Sequence, residues 1–210
     1  MHGNANLAKD KHHTVALFSS VLSMERASGG GAGSGGGGSG GGKSKEQTIA
    51  EVAGVVQKKI KPMYDLEEVG AAYPVDWGNS MNTVLRQEVA RYNRLLQVIH
   101  ESLGNILKSM AGLVLMSPAL ERLGDDLYFG RIPELWKGRS YPSLKPLGSY
   151  VSDLVERLDF FDEWIAKGAP PLYWIPGFFF TQSFITGALQ NFARKYTVPI
   201  DEVGFDVDVL

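Results

Sequence analysis

Residues 177–201 read GFFFTQSFITGALQNFARKYTVPID. Three consecutive phenylalanines run into an amphipathic helix that ends about Tyr196, and Val198-Pro199 stops it, because proline cannot continue the ladder. The triplet Phe178, Phe179 and Phe180 cannot all face one side of a helix. Part of it therefore has to meet a second surface.

The same apolar logic extends upstream. Leu85, Val89, Tyr92, Leu96, Ile99, Leu103, Ile106, Met110 and Leu113 alternate in steps of four and three. That heptad register predicts one long helix from about Ser80 to Met116. Such a helix spans about 55 Å, longer than a small domain is wide, and is expected to lie across a larger body. Leu147, Val151, Leu154, Leu158, Phe161 and Ile165 repeat the pattern in a second helix ending near Gly168. Between them, Ser117-Pro118 starts a shorter helix, and Pro133, Pro142 and Pro146 make 130–147 loop-rich. Nearer the N-terminus, Ser44 and Gln47 have capping-box spacing. They open a helix whose face is Ile49, Val52, Val56 and Ile60, stopped by Pro62. A brief helix over Leu66–Ala72 ends at Tyr73-Pro74.

Residues 7–24 read as a short helix. Residues 27–42 are nearly all glycine and serine, a flexible coil reaching roughly 20 Å. At the other end Val203, Phe205, Val207 and Val209 alternate with polar residues, as in a half-buried strand. A lone strand cannot satisfy its own backbone, so it is expected to pair with something beyond this chain. The fold class is thus mainly α: long amphipathic helices with one short C-terminal β-strand, a fragment of a larger domain. The expected division is 1–26, a 27–43 insertion, and a helical 44–210.

The 210 residues carry a net charge of −2, no cysteine and 44% hydrophobic residues. There is no electrostatic case for a nucleic-acid or anionic-membrane partner. Thiol chemistry, disulfides and cysteine-held metals are excluded. No apolar run approaches the roughly 20 residues of a membrane span, and no signal core opens the sequence. A cytosolic setting is the expectation.

Catalytic motifs are not apparent. Gly41-Gly42-Lys43-Ser44 mimics the end of a phosphate loop but lacks the preceding strand. His12 and His13 point about 100° apart on a helix, and His100 lacks a partner at i+4, so it is read as a solvated or capping residue. The carboxylates Asp125, Asp126, Asp159, Asp162, Glu163, Asp201 and Glu202 read as surface charges. Arg86, Arg91, Arg94, Arg194 and Lys195 are read first as snorkelling neighbours of the seams and second as interdomain ion pairs. Glu88 can reach Arg91 at i, i+3. Trp136, Trp164 and Trp174 are read, with the phenylalanines, as core or interface anchors. The packing and interface set is therefore Leu85, Val89, Tyr92, Leu96, Ile99, Leu103, Trp164, Trp174, Phe178, Phe179, Phe180 and Phe184. No catalytic, cofactor or metal residue is assigned.

Several stretches together resemble dynein heavy chains. They are SMNTVLRQE at 80–88 with RYNRLL at 91–96, SYPSLKPLGSY at 140–150, GFFFTQ at 177–182 and ARKY at 193–196. HGNAN at 2–6 resembles the end of the sixth AAA+ module. The likeness is stronger to the axonemal branch and covers nearly the whole sequence outside the glycine tract. It implies that 1–26 close the last AAA+ module and that 44–210 form the helical first part of the C-terminal domain. It also implies packing on the AAA+ ring of an ATP-driven, minus-end-directed microtubule motor. ATP and magnesium would bind only in upstream modules. Intermediate chains, light chains and the microtubule would be partners through the parent complex, in a cilium or flagellum. The alternative is a free-standing helical scaffold that binds partners through its heptad faces.

Overall fold

A computed structural model describes residues 44–206. The expected helix over 7–24 and the glycine tract lie outside the described residues. The chain divides into two compact units. Among the described residues, one comprises 44–61 with Val98–Val155, and the other Pro62–Gln97 with 156–206.

The first unit begins with α1, Lys45–Lys59. Its capping box is complete: Gln47 N–H donates to Ser44 Oγ at 3.2 Å and Ser44 N–H to Gln47 Oε1 at 3.0 Å. Glu46 in the first turn and Lys58 and Lys59 in the last complement the helix dipole. Ile49, Ala53 and Val56 are buried; Val52, expected on that face, is half-buried. α1 packs on α4, Pro118–Tyr128, whose N-cap is Ser117. The approach is close at Gly124, where a Cβ would sit 3.3 Å from Ile49 Cδ1 and 3.4 Å from Ile106 Cδ1. α5, Glu134–Lys137, places Trp136 fully inside, its indole N–H donating to Ser102 Oγ at 2.8 Å. His100 Nε2 lies 2.8 Å from the Lys61 carbonyl, just beyond the C-cap of α1.

Both units draw on α3, Ser80–Met110, and α6, Leu147–Lys167. The seam from Leu85 to Ile106 is fully buried, as are Leu154, Leu158 and Phe161. The structure corrects the far end of α3. The heptad spacing carries the pattern to Leu113, yet the helix stops at Met110. Gly112 adopts φ +73°, Leu113 N–H bonds the Lys108 carbonyl at 2.9 Å and Gly112 N–H the Ser109 carbonyl at 3.0 Å. That is a Schellman cap, and it throws Leu113 outward, 77% exposed. A local backbone signal overrides a side-chain period there.

The second unit adds α2, Leu66–Ala72, capped by Asp65 through the N–H groups of Glu67 and Glu68. It also adds a 3₁₀ turn at Ile175–Gly177 and α7, Thr181–Tyr196. α7 crosses the start of α3 at Gly187, where a Cβ would meet Met81 Cε at 2.7 Å and Val84 Cγ2 at 2.9 Å. Only glycine permits that approach. α7 ends in a second Schellman arrangement around Thr197, at φ 55°. The strand expected over 203–209 is not seen in its described half: Ile200–Glu202 is a 3₁₀ turn, and 203–206 form no ladder. Residues 207–210 lie outside the described residues. No sheet forms among the described residues; Asp76 and Asn79 make an isolated bridge.

Candidate functional site

The most constrained place in the second unit is where α3 meets the aromatic segment before α7. Gly177 ends the 3₁₀ turn with the Trp174 ring so close that a Cβ would lie 2.7 Å from it. Tyr92, fully buried, donates its phenol to the Gly177 carbonyl at 2.6 Å. The phenylalanine triplet then splits by direction. Phe178 is buried against Phe161 and Phe184, with centroids at 5.6 and 4.7 Å. Phe179 is half-buried and meets Tyr92 edge-on at 4.9 Å. Phe180 turns out to 50% exposure, with the Arg91 guanidinium 5.2 Å from its ring centre. Extended backbone and an abrupt helix start present the three rings to three surroundings.

The helix start needs acceptors for its free N–H groups. Phe180, the N-cap, has no side chain that can supply one. Glu88 supplies it from α3. Its carboxylate, fully buried, accepts the N–H of Phe179 and, at 3.2 Å, the N–H of Phe180, while Arg91 Nη1 donates to it at 2.8 Å. Burial pushes the Glu88 carboxyl above its ordinary range, against the pull of the Phe179 N–H and the Arg91 charge. The i, i+3 pair with Arg91 was legible in the sequence. The two backbone bonds were not, although a carboxylate between Leu85, Val89 and Tyr92 on an apolar seam is a signal that it must be satisfied internally.

Tyr64 and Tyr73 tie the segments around α2 to α6. They donate to the Leu158 carbonyl at 3.1 Å and the Trp164 carbonyl at 2.7 Å. Burial, helped by Asp162, pushes the Tyr64 phenol far upward and keeps it neutral. Around them Trp164, Phe161, Phe160, Tyr173 and Phe178 form edge-on, tilted and stacked pairs with centroids from 5.1 to 6.5 Å. Such pairs add about 0.5–1.5 kcal/mol each beyond burial.

The twelve residues read as packing or interface separate by exposure. Leu85, Val89, Tyr92, Leu96, Ile99, Leu103, Trp164, Phe178 and Phe184 are buried within the molecule. Phe179 is half-buried, and Trp174 and Phe180 reach the surface. Other exposed rings are ones that apolar periodicity does not single out: Trp77, 80% exposed, with Phe192 and Tyr196 on α7. Arg194 lies 5.0 Å from the Trp77 ring centre and donates to Ser80 Oγ at 2.9 Å. Among the described residues no three or more His, Asp or Glu side chains are grouped to hold a metal ion. No helix among them is long and apolar enough to cross a membrane.

A closed aromatic core, a glutamate spent on backbone bonds and outward-facing rings characterise this mainly helical structure. The family described as the C-terminal domain of the dynein heavy chain matches residues 11–210, and this protein belongs to it. Over all 210 residues it is 49% identical to dynein axonemal heavy chain 3 of Homo sapiens. It is 47% identical to dynein axonemal heavy chain 1 of Rattus norvegicus over 212 aligned residues and 44% identical to dynein axonemal heavy chain 12 of Mus musculus over 210. Each alignment covers the whole of this sequence and 5%, 4% and 6%, respectively, of the relative. The protein thus spans about a twentieth of the length of these relatives.

Proposed function

We propose that this protein is a non-catalytic, structural part of a dynein heavy chain, packing on the AAA+ ring of an ATP-driven microtubule motor that moves toward minus ends. The single observation that carries the reading is the match over the entire sequence to axonemal heavy chains. On this reading residues 1–26 close the last AAA+ module, 27–43 form an insertion, and 44–210 are the helical part of the C-terminal domain. ATP and magnesium act in upstream modules. Intermediate chains, light chains and the microtubule are reached through the parent complex, and the place of action is the axoneme of a cilium or flagellum.

The exposed rings support a packing role, since large apolar groups at a surface mark contact sites when they gather. The buried seam residues contribute by stiffening α3, and a stiff element in contact at two places can couple them.

The test uses the intact heavy chain. Trp77→Ala, Phe192→Ala and Tyr196→Ala together are expected to slow microtubule gliding while the isolated 210-residue polypeptide hydrolyses no ATP. Unchanged velocity and force, or ATP turnover by the isolated polypeptide, would overturn the reading.

A further inference from the structure

A groove of about 410 Å³ in the second unit joins apolar side chains of two segments to three guanidinium groups of α3. Leu66 and Val75 are exposed in it, beside the buried Val69; Arg86, Arg91 and Arg94 supply its charge. No carboxylate lines it among the described residues. Arg91 is taken by Glu88. Arg94 donates to the Ala90 carbonyl, at 3.3 Å, and Arg86 lies over Gly70 of α2, where a Cβ would be 3.4 Å from Nη2. Neither Arg86 nor Arg94 has an ion-pair partner among the described residues.

We propose that this groove receives an acidic amphipathic helix supplied by another part of the same heavy chain. The inference rests on the reading that the protein packs against the rest of its polypeptide, and it names what docks at this place. Charge complementarity selects the occupant's sign, since uncompensated cations beside exposed aliphatic groups favour a segment with both carboxylates and apolar side chains. The spacing selects its form. Arg86 to Arg94 rises about 12 Å along α3, matching carboxylates two turns apart on a facing helix with apolar residues between them. The groove's size selects its source. Exposed ion pairs contribute little individually, and a short groove binds a free partner weakly. A segment on the same polypeptide is presented at an effective concentration of order millimolar, which compensates for weak contacts.

The experiment places a photoreactive benzophenone amino acid at Val75 in the intact heavy chain and identifies the cross-linked peptide by mass spectrometry. The expected product joins Val75 to a segment of the same polypeptide with several Asp or Glu residues within two helical turns. Arg86→Glu with Arg94→Glu should lower its yield at least about tenfold, whereas Arg86→Lys with Arg94→Lys should keep it within about twofold, because charge and not shape selects the occupant. A cross-link to a neutral or basic segment, a cross-link to another polypeptide, or a yield unmoved by charge reversal would overturn the proposal. A parallel probe at Trp77 separates the two readings. Cross-linking there but not at Val75 leaves the packing role standing and removes the acidic helix; no cross-link at either position removes both.

Discussion

Glu88 Oε1 accepts the N–H of Phe180 at 3.2 Å across 92 residues of sequence, so a carboxylate on α3 caps the start of α7. The same carboxylate accepts the Phe179 N–H and is held by Arg91. One side chain therefore fixes both the direction of the phenylalanine triplet and the entry of the last helix.

Glu88→Ala leaves two N–H groups without acceptors and Arg91 without its partner. Each buried group so orphaned costs about 1–3 kcal/mol, so a local loss of roughly 2–6 kcal/mol is expected. Hydrogen exchange of the peptide spanning 177–186 measures it. Protection there should collapse while α1 and α4 keep theirs. Unchanged exchange would show that the carboxylate does not hold the segment.

The same group sets a pH dependence of unusual sign. Burial raises the folded carboxyl above its ordinary value, so the folded protein binds the proton more tightly than the unfolded one. Its contribution is full below the unfolded pKa of about 4.3 and is lost as pH rises through the raised value. Protection factors for the 177–186 peptide, corrected for intrinsic exchange, should fall across that window in the native protein. They should lose this component in Glu88→Gln.

Gly187→Ala tests the crossing of α7 on α3. Alanine gains about 1 kcal/mol in helix propensity, but its methyl would lie 2.7 Å from Met81 Cε and 2.9 Å from Val84 Cγ2. Met81 can move its end; Val84 is branched and buried. Overpacking costs about 1–3 kcal/mol, so a net destabilisation of about 1 kcal/mol is expected. Combined with Val84→Ala, the loss should be smaller than the sum of the two single losses. Denaturant titration monitored by exchange in α7 gives both values.

Thr197 occupies a left-handed position, φ 55°, between Tyr196 and Val198-Pro199. A β-branched residue there costs about 1–2 kcal/mol. Thr197→Gly relieves it, offset by the greater freedom of glycine in the unfolded state. A gain of about 0.5–1 kcal/mol in local stability of the α7 end is expected, and a loss would show that the Thr197 side chain makes a contact worth more than the strain.

Much of this architecture was legible in residue order. The capping box at Ser44 and Gln47, the Ser117-Pro118 start and the Leu66–Ala72 helix all appear with the expected bounds, because local hydrogen bonding and proline sterics decide them. The seam from Leu85 to Ile106 was equally readable, since a period needs no knowledge of its partner. The end of α3 was not: Leu113 keeps the heptad, and Gly112 alone carries the contrary signal. The short α5 was hidden in a proline-rich stretch, where four residues give no period. Glu88 was seen as a partner for Arg91, while its grip on Phe179 and Phe180 depends on a fold that brings residues 91 and 92 positions apart together. Trp77 carries no signal in residue order, because a lone surface tryptophan has no pattern around it.

The most direct test of a packing role is hydroxyl-radical footprinting of Trp77, Phe192 and Tyr196 in the intact heavy chain and in the separate 210-residue polypeptide. All three rings are open in this structure. The account predicts rapid oxidation in the separate polypeptide and at least about tenfold protection in the intact motor, since interface cores exclude water. Equal oxidation in both would contradict it.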